Sequence, residues 1–287
     1  MSYFWEKDAM TKGRFEDLTD AQWQMIRPLL PADPAQRSKG QPHKPWRPVC
    51  NTILWVLITG SRWCDVPKGE QWGSRSVAHR WLGRWSDEGI LDKLLQALLE
   101  TADLAGSLNW ERLAADGFFS RGKGGGEEIE YGFKGKGSTT HLLVDGNGSA
   151  VALTSTAANG DERQQVEPLL DRVRARMQRA QERLEKIPIF EADKGYDADE
   201  LTRKLLKRNI FPWICRRKKS GKTVEKVESA LKRMRWKVER AISWLQRKFR
   251  RLAVRWERRT RYWKGFLTFG MITFWIDRLL GWVHRPQ

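Results

Sequence analysis

The chain is 287 residues long, enough to bury a full core as one large domain or two small ones. It carries 53 Lys and Arg against 35 Asp and Glu, a net charge of +18, so nucleic acid or another anionic surface is the expected partner. Three scattered cysteines with no CxxC pair and four histidines with no ligand spacing exclude a zinc site and a secreted disulfide scaffold. No signal peptide opens the sequence, and a soluble, cytoplasmic protein is expected.

Residues 1–17 carry no apolar period and read as a flexible arm. A helical region follows over residues 18–108. Thr19 or Asp20 caps its first helix, whose apolar face is Trp23, Ile26, Leu29 and Leu30. After a Pro-rich connection from Pro31 to Pro48, Val49–Thr59 forms a second helix stopped by Gly60. Cys64–Pro67 turns the chain. Ser74–Trp85 then opens with a Ser cap and places Val77, Trp81 and Trp85 at i, i+4 and i+8, with Arg75, Ser76, His79 and Arg80 on its other face. A further helix runs from Ile90 to Ala105. Helix, tight turn and a short helix opening with basic and hydroxyl residues resemble a helix-turn-helix reader of DNA. Any helical bundle has such turns, so the pattern gains weight only if the rest of the chain also handles DNA.

From residue 109 the texture becomes that of a mixed α/β domain. Leu113–Phe119 is a short apolar strand interrupted by Asp116, and the Gly- and Lys-rich Gly122–Gly137 reads as a loop or hairpin. Thr139–Val144 and Ala150–Ser155 flank Asp145-Gly146-Asn147-Gly148, a strong hairpin signal. Asp161 caps one long amphipathic helix that continues to about Lys186. Ile187–Phe190 is a buried strand leading to Asp193, Asp197–Arg208 a helix and Ile210–Cys215 a strand. Gly265–Val283 is apolar but holds Asp277 and Arg278, so it reads as a terminal helix packed on the core, not a membrane span.

Between Leu201 and Lys264 stand 24 Lys and Arg against 4 Asp and Glu, so the whole positive excess resides there. Interleaved Trp and Phe mark this segment as folded, and a basic, aromatic-rich, structured segment suits a phosphate backbone. Within it, Lys226–Leu252 aligns Leu231, Met234, Val238, Ile242, Leu245, Phe249 and Leu252 on one helical stripe. At roughly 100° per residue Glu239 falls about a quarter turn from the centre of that stripe. It reads either as a surface Glu paired with Arg235 one turn back, or as a metal-binding carboxylate in a cationic trough. Asp116 inside an apolar strand and Asp193 just past another favour the second reading, because ligands collect beyond strand ends in such sheets. Asp116 before Gly117 also reads as a plain strand end, and Asp197 and Asp199, which look like helix caps, compete with Asp193; only Asp193 abuts the strand. Three converging carboxylates repel without a cation. Their hard oxygens suit Mg²⁺ or Mn²⁺, and a pair of such ions about 3.5–4 Å apart drives in-line displacement at phosphorus.

A set of motifs then runs in order over nearly the whole chain: LTDAQWQMIRPLLP (Leu18–Pro31), ILWVLITGSRWCDVP (Ile53–Pro67), ADG (Ala115–Gly117), THLLVDGNG (Thr140–Gly148), ADKGYDADEL (Ala192–Leu201) and VERAISWLQRKFRRLAVRWERR (Val238–Arg259). Together they resemble the bacterial DDE transposases of the insertion-sequence-five group. The resemblance implies a ribonuclease-H-like catalytic domain over 109–287, with a mixed sheet flanked by helices, behind an all-α, helix-turn-helix-type DNA-binding region over 18–108. It makes Asp116, Asp193 and Glu239 the catalytic and metal-binding triad, holding two Mg²⁺ or Mn²⁺ ions. The family signature around the glutamate is Tyr, two residues, Arg, three residues, Glu, six residues, Lys or Arg. Arg235 and Glu239 match it; Lys232 stands at the Tyr position and Gln246 at the last, with Arg247 and Lys248 beside it. The implied activity is cleavage at the element's terminal inverted repeats and joining of the 3′-OH ends to target DNA, by a homodimer on double-stranded DNA. Lys194, Arg235, Arg240, Arg247 and Lys248 would then grip phosphates, and Arg75, Ser76, His79 and Arg80 would read or position the repeat. Two alternatives stay open: a ribonuclease-H-like nuclease that does not join strands, and a DNA-binding protein without catalysis. Acids at all three triad positions favour the transposase.

Overall fold

A computed structural model describes residues 17–33, 44–184, 186–215 and 228–281, with side chains from residue 235 onward in the last segment. The expected N-terminal arm lies outside the described residues, as do the side chains of Leu231, Lys232 and Met234. The chain forms two compact units: one runs to Leu98 and adds Phe249–Leu252 and the chain from Gly265, the other comprises Leu99–Lys248 and Ala253–Lys264.

The first unit is helical. Helix α1 (Asp20–Ile26) begins with a capping box: Thr19 Oγ1 accepts from the Gln22 N–H, and Gln22 Oε1 accepts from the Thr19 N–H. Helix α2 (Trp46–Thr59) starts three residues before the expected Val49, because Pro48 falls in its first turn, where a missing N–H costs nothing. Gly60 ends it in the left-handed conformation at φ 70°. Helix α3 (Arg75–Asp87) is capped by Ser74 as expected. Its Trp81 and Trp85 rings meet the Trp46 ring edge-on at 4.6 and 5.1 Å. Helix α4 (Ile90–Leu104) follows. Asp277, buried in the C-terminal helix, accepts a 2.8 Å hydrogen bond from the Gln22 side chain, which accounts for an acid in an apolar stretch. No described helix is long and apolar enough to cross a membrane.

The second unit is built on a sheet. Strands β1 (Arg112–Gly122), β2 (Glu130–Gly132), β3 (Gly135–Asp145), β4 (Ala150–Ala157), β5 (Ile189–Ala192), β6 (Phe211–Ile214) and β7 (Val254–Arg255) make it up. Along β4-β3-β1-β5-β6 the first three strands are antiparallel and the last three parallel, with β2 also on β3 and β7 on β1. This is a ribonuclease-H-like mixed sheet. The Gly-rich stretch thus holds β2 and the start of β3, where a Cβ on Gly137 would lie 2.3 Å from the Ser120 carbonyl oxygen. The hairpin after β3 is held by Asp145, whose Oδ1 accepts from the Asn147 and Ser149 N–H groups.

Three expectations are corrected here. Asp161 caps a 3-10 turn, Glu162–Gln165, and the expected single helix is two: α5 (Val166–Arg172) and α6 (Arg174–Gln181), divided at Val173. Pro168 has no N–H for the carbonyl of Gln164, so regular α-helix begins only at Val166. Strand β5 lies two residues later than expected, which puts Glu191 inside it, buried and paired with Arg112 at 2.7 Å. Helix α7 (Asp199–Lys207) has Ala198 at its cap position without a side-chain bond, so neither Asp197 nor Asp199 caps it. Helix α8 (Glu228–Lys248) packs over β1, β3 and β5; of the stripe read from the sequence Val238 and Leu245 are buried and Ile242 half-buried, with Ala241 buried beside them. Helix α9 (Thr260–Leu279) closes the described chain.

Candidate active site

Strands β1 and β5 set the site. Their parallel register pairs Leu113 with Phe190 and Ala114 with Glu191, and continuing it two residues brings Asp193 level with Asp116. Residues level with each other on adjacent strands face the same way, with backbones about 4.8 Å apart. Each aspartate is fixed by a neighbouring glycine: Asp116 Oδ1 accepts from the Gly117 N–H and Asp193 Oδ1 from the Gly195 N–H, both at 2.7 Å. Asp193 thereby caps the 3-10 turn Lys194–Tyr196.

Helix α8 brings the third acid. Lys237 donates to the Gly146 carbonyl oxygen, and its Cβ lies 3.0 Å from where a Cβ on Gly148 would stand, so the β3–β4 hairpin anchors the helix beside Glu239. Arg235 donates to Glu239 Oε1 at 2.8 Å. Asp116, Asp193, Arg235 and Val238 line an open cleft of about 300 Å³ together with Lys194 and Cys215. Burial chiefly, then the nearby charges of Asp193 and Glu239, raise the Asp116 carboxyl above its usual range, against Gly117 and Arg235, which lower it. Arg235 is held charged first by its bond to Glu239, with Asp193 and Asp116 adding to the effect. Asp116, Asp193, Glu239 and Arg235 thus share one electrostatic neighbourhood. The all-carboxylate donor set fits a hard divalent cation such as Mg²⁺ or Mn²⁺. Among the described residues no three acids or other ligand groups are yet gathered around a single ion position. Glu239 is held by Arg235 instead.

Sequence reasoning missed Glu162. Because Pro168 delays the α-helix, Glu162 sits in the 3-10 turn, and its Oε1 lies 3.4 Å from where a Cβ on Gly117 would be. Burial, then Asp116, raise its carboxyl; Lys134 opposes them. The signal was available in Pro168, the seventh residue of what reads as a longer helix from Glu162. His141 Nδ1 lies 3.4 Å from the same Gly117 position and has no partner among the described residues, while Nε2 meets Thr156 Oγ1 at 2.9 Å. Burial pushes this imidazole down to about 4, so it is neutral at physiological pH.

Among the expected phosphate contacts, Lys194 and Arg235 line the cleft. Arg240 lies over the Trp236 ring at 4.5 Å and Lys248 over Trp244 at 4.9 Å, further along α8, while Arg247 is exposed. In the helical unit Arg75, Ser76 and Arg80 are exposed on α3, and the His79 ring meets Trp63 edge-on at 5.2 Å.

Strand order, an acidic cleft where β1 and β5 run side by side, and a basic helix laid across them define a ribonuclease-H-like domain. The chain belongs to the DDE transposases of bacterial insertion sequences: residues 111–272, more than half of it, match the transposase DDE domain, and residues 18–95 match a family described as transposases of the IS4/5 family. A Burkholderia cepacia protein named as a transposase for insertion sequence element IS402 is 35% identical over 134 residues, 47% of this chain and 60% of that protein, less than two thirds of the relative's length. The Sinorhizobium fredii protein y4sN is 34% identical over 89 residues, 31% of this chain and 68% of its own. The crystal structure of the catalytic domain of Mos1 mariner transposase aligns over 72% of this chain and 96% of that chain at 13% identity, with a TM-score of 0.28.

Proposed function

We propose that the protein binds the terminal inverted repeats of its insertion sequence, cleaves the DNA strands there and joins the freed 3′-OH ends to target DNA. The observation that supports this reading is that Asp116, on β1, and Asp193, just past the end of the parallel neighbour β5, line one cleft, with the Arg235–Glu239 pair in the same field of charge. Asp116, Asp193 and Glu239 are the residues that would hold Mg²⁺ or Mn²⁺, as two ions. When bound, such ions activate the attacking oxygen and stabilise the leaving one. A water oxygen displaces a strand oxygen at phosphorus and frees a 3′-OH. That hydroxyl then displaces an oxygen of the target strand, so one phosphodiester forms for each one broken.

The chain's own groups position the DNA. Arg235, which donates to Glu239 here, carries a planar fork that would suit a phosphate through two parallel hydrogen bonds if Glu239 were to hold a cation. Lys194 at the cleft and Arg240, Arg247 and Lys248 along α8 supply counter-charge to the backbone. Arg75, Ser76, His79 and Arg80 on α3 read or position the terminal repeat. Two ends must be held together, so a homodimer on double-stranded DNA in the bacterial cytoplasm, at the nucleoid, is the working form. The test uses labelled fragments of the element's ends and a labelled target duplex, with and without Mg²⁺. Wild type gives Mg²⁺-dependent nicks and joined product, and Asp193→Asn gives neither. Cleavage by Asp193→Asn at the wild-type rate would remove the triad; nicks without joined product would make the protein a nuclease.

A further inference from the structure

The β2–β3 hairpin leaves two large aromatic side chains in solvent: Tyr131 is 74% exposed and Phe133 105%. Scattered single apolar side chains on a surface need no explanation. These two lie two residues apart on one hairpin, and Lys134 and Lys136 follow them. Gly132 lies so close to the Ala158 backbone that a Cβ there would be 2.2 Å from the Ala158 carbonyl oxygen, and the Ala158 N–H donates to Gly137 O at 3.1 Å. Ala158 lies four residues before Glu162, whose Oε1 is 3.4 Å from where a Cβ on Gly117, the residue after Asp116, would stand. The tip is therefore a rim of the site. Lys136 already lies over the Tyr131 ring at 5.6 Å, so ring and cation work as one surface.

We infer that Phe133 and Tyr131 form a stacking platform for an unpaired base of the DNA strand entering the cleft, with Lys134 and Lys136 on its flanking phosphates. Lysines alone would serve a paired duplex, whose bases are hidden in the stack. The exposed Phe133 ring offers what a lone base lacks, and every base has a π-face to offer in return. The inference rests on the transposase reading, since it needs DNA in that cleft.

Binding is measured by fluorescence anisotropy on a duplex from the element's end and on the same duplex with a short unpaired overhang, without added divalent ion. Wild type prefers the overhang by at least about fivefold, the smallest gain expected from stacking one base. Phe133→Ala loses that preference and keeps its affinity for the paired duplex, while Phe133→Trp retains both. Lys134→Ala weakens both probes alike and flattens the salt dependence. An undiminished overhang preference in the Phe133→Ala, Tyr131→Ala double variant overturns the platform, as does a wild type without preference that still cuts the ends; in both cases the transposase reading survives. A wild type that neither binds nor cuts the ends fails at the level of that reading and takes the platform with it.

Discussion

Glu239→Gln separates the two roles that one helix position allows. The Arg235–Glu239 pair is one turn apart on α8, at 2.8 Å, with the side chains 65% and 51% exposed. In water a pair at that separation gains about 1.5 kcal/mol of Coulomb energy, and ordering two exposed side chains returns most of it, leaving about 0.3–0.5 kcal/mol. For a domain of this size that corresponds to a thermal midpoint change of about 1–2 °C. Glutamine keeps the shape and one acceptor, so the fold should hardly respond. Catalysis should respond strongly: loss even of a group that only supports a metal ligand costs about 10–100-fold, and loss of a ligand should cost at least the upper end of that range. Differential scanning fluorimetry and Mg²⁺-dependent nicking of element-end DNA are measured on the same preparation. A small midpoint change with a loss of nicking beyond about 100-fold supports a metal-binding carboxylate. A midpoint drop above about 5 °C with a proportionate loss of nicking would show Glu239 to be a structural residue, and the reasoning would fail.

Asp116→Asn should stabilise the metal-free protein, because burial and the facing Asp193, Glu162 and Glu239 raise the Asp116 carboxyl despite Arg235. The folded wild type holds its proton more tightly than the unfolded chain. The stability difference is therefore nil at strongly acid pH and grows as pH rises through the carboxylate range. Thermal unfolding at several pH values checks this, and a difference that shrinks with rising pH would sink it. Arg255, fully buried, donates to Ser138 Oγ, Thr260 Oγ1 and the carbonyl oxygens of Glu127, Glu128 and Glu257. Arg255→Met should cost about 3–5 kcal/mol in urea denaturation, the loss expected when a buried charged hub leaves its partners unpaired. A loss below about 1 kcal/mol would mean that water replaces it. Trp46→Ala, which removes the ring between Trp81 and Trp85, should destabilise the helical unit by about 3–5 kcal/mol. An unchanged denaturation midpoint would count against that packing.

Elements whose signal is local were legible from the sequence. The capping box at Thr19, the Ser74 cap, the stop at Gly60 and the Asp145 hairpin each rest on a few neighbouring residues, and each occurs where expected. The stripe of α8 was legible because its period persists over many turns. Elements decided by a missing N–H or by strand register were not. Pro168 delays the start of what periodicity makes one helix, which also divides at Val173, and β5 takes its frame from β1, two residues later than its own apolar run suggests. The three-residue pairing of β2 with the start of β3 inside a Gly-rich stretch carries no hydrophobic pattern. The grouping of the chain from Gly265 with the helical unit depends on long-range packing, which a linear pattern does not encode.

The same distinction governs the site. Asp116 and Asp193 were legible because each breaks an apolar run, a cost that sequence displays directly. Glu162 was hidden because an acid beside a helix cap is ordinary in sequence, and only the delayed start of α5 turns it toward Asp116. Glu239 was legible as a position but ambiguous in role, and the Arg235 pair preserves that ambiguity: at 2.8 Å the guanidinium neutralises the carboxylate that a cation would claim. Partnering does not argue against a metal role. Asp116, with its raised carboxyl, and Asp193 line one cleft with Glu162 close by, and a positive group among them offsets their mutual repulsion. Arg235 is the side chain whose charge responds to Asp116, Asp193 and Glu239 at once. A guanidinium that counters the acids before a cation arrives, and a phosphate afterwards, meets both demands with one residue, which explains why an arginine one turn before the glutamate suits this site better than a second acid would.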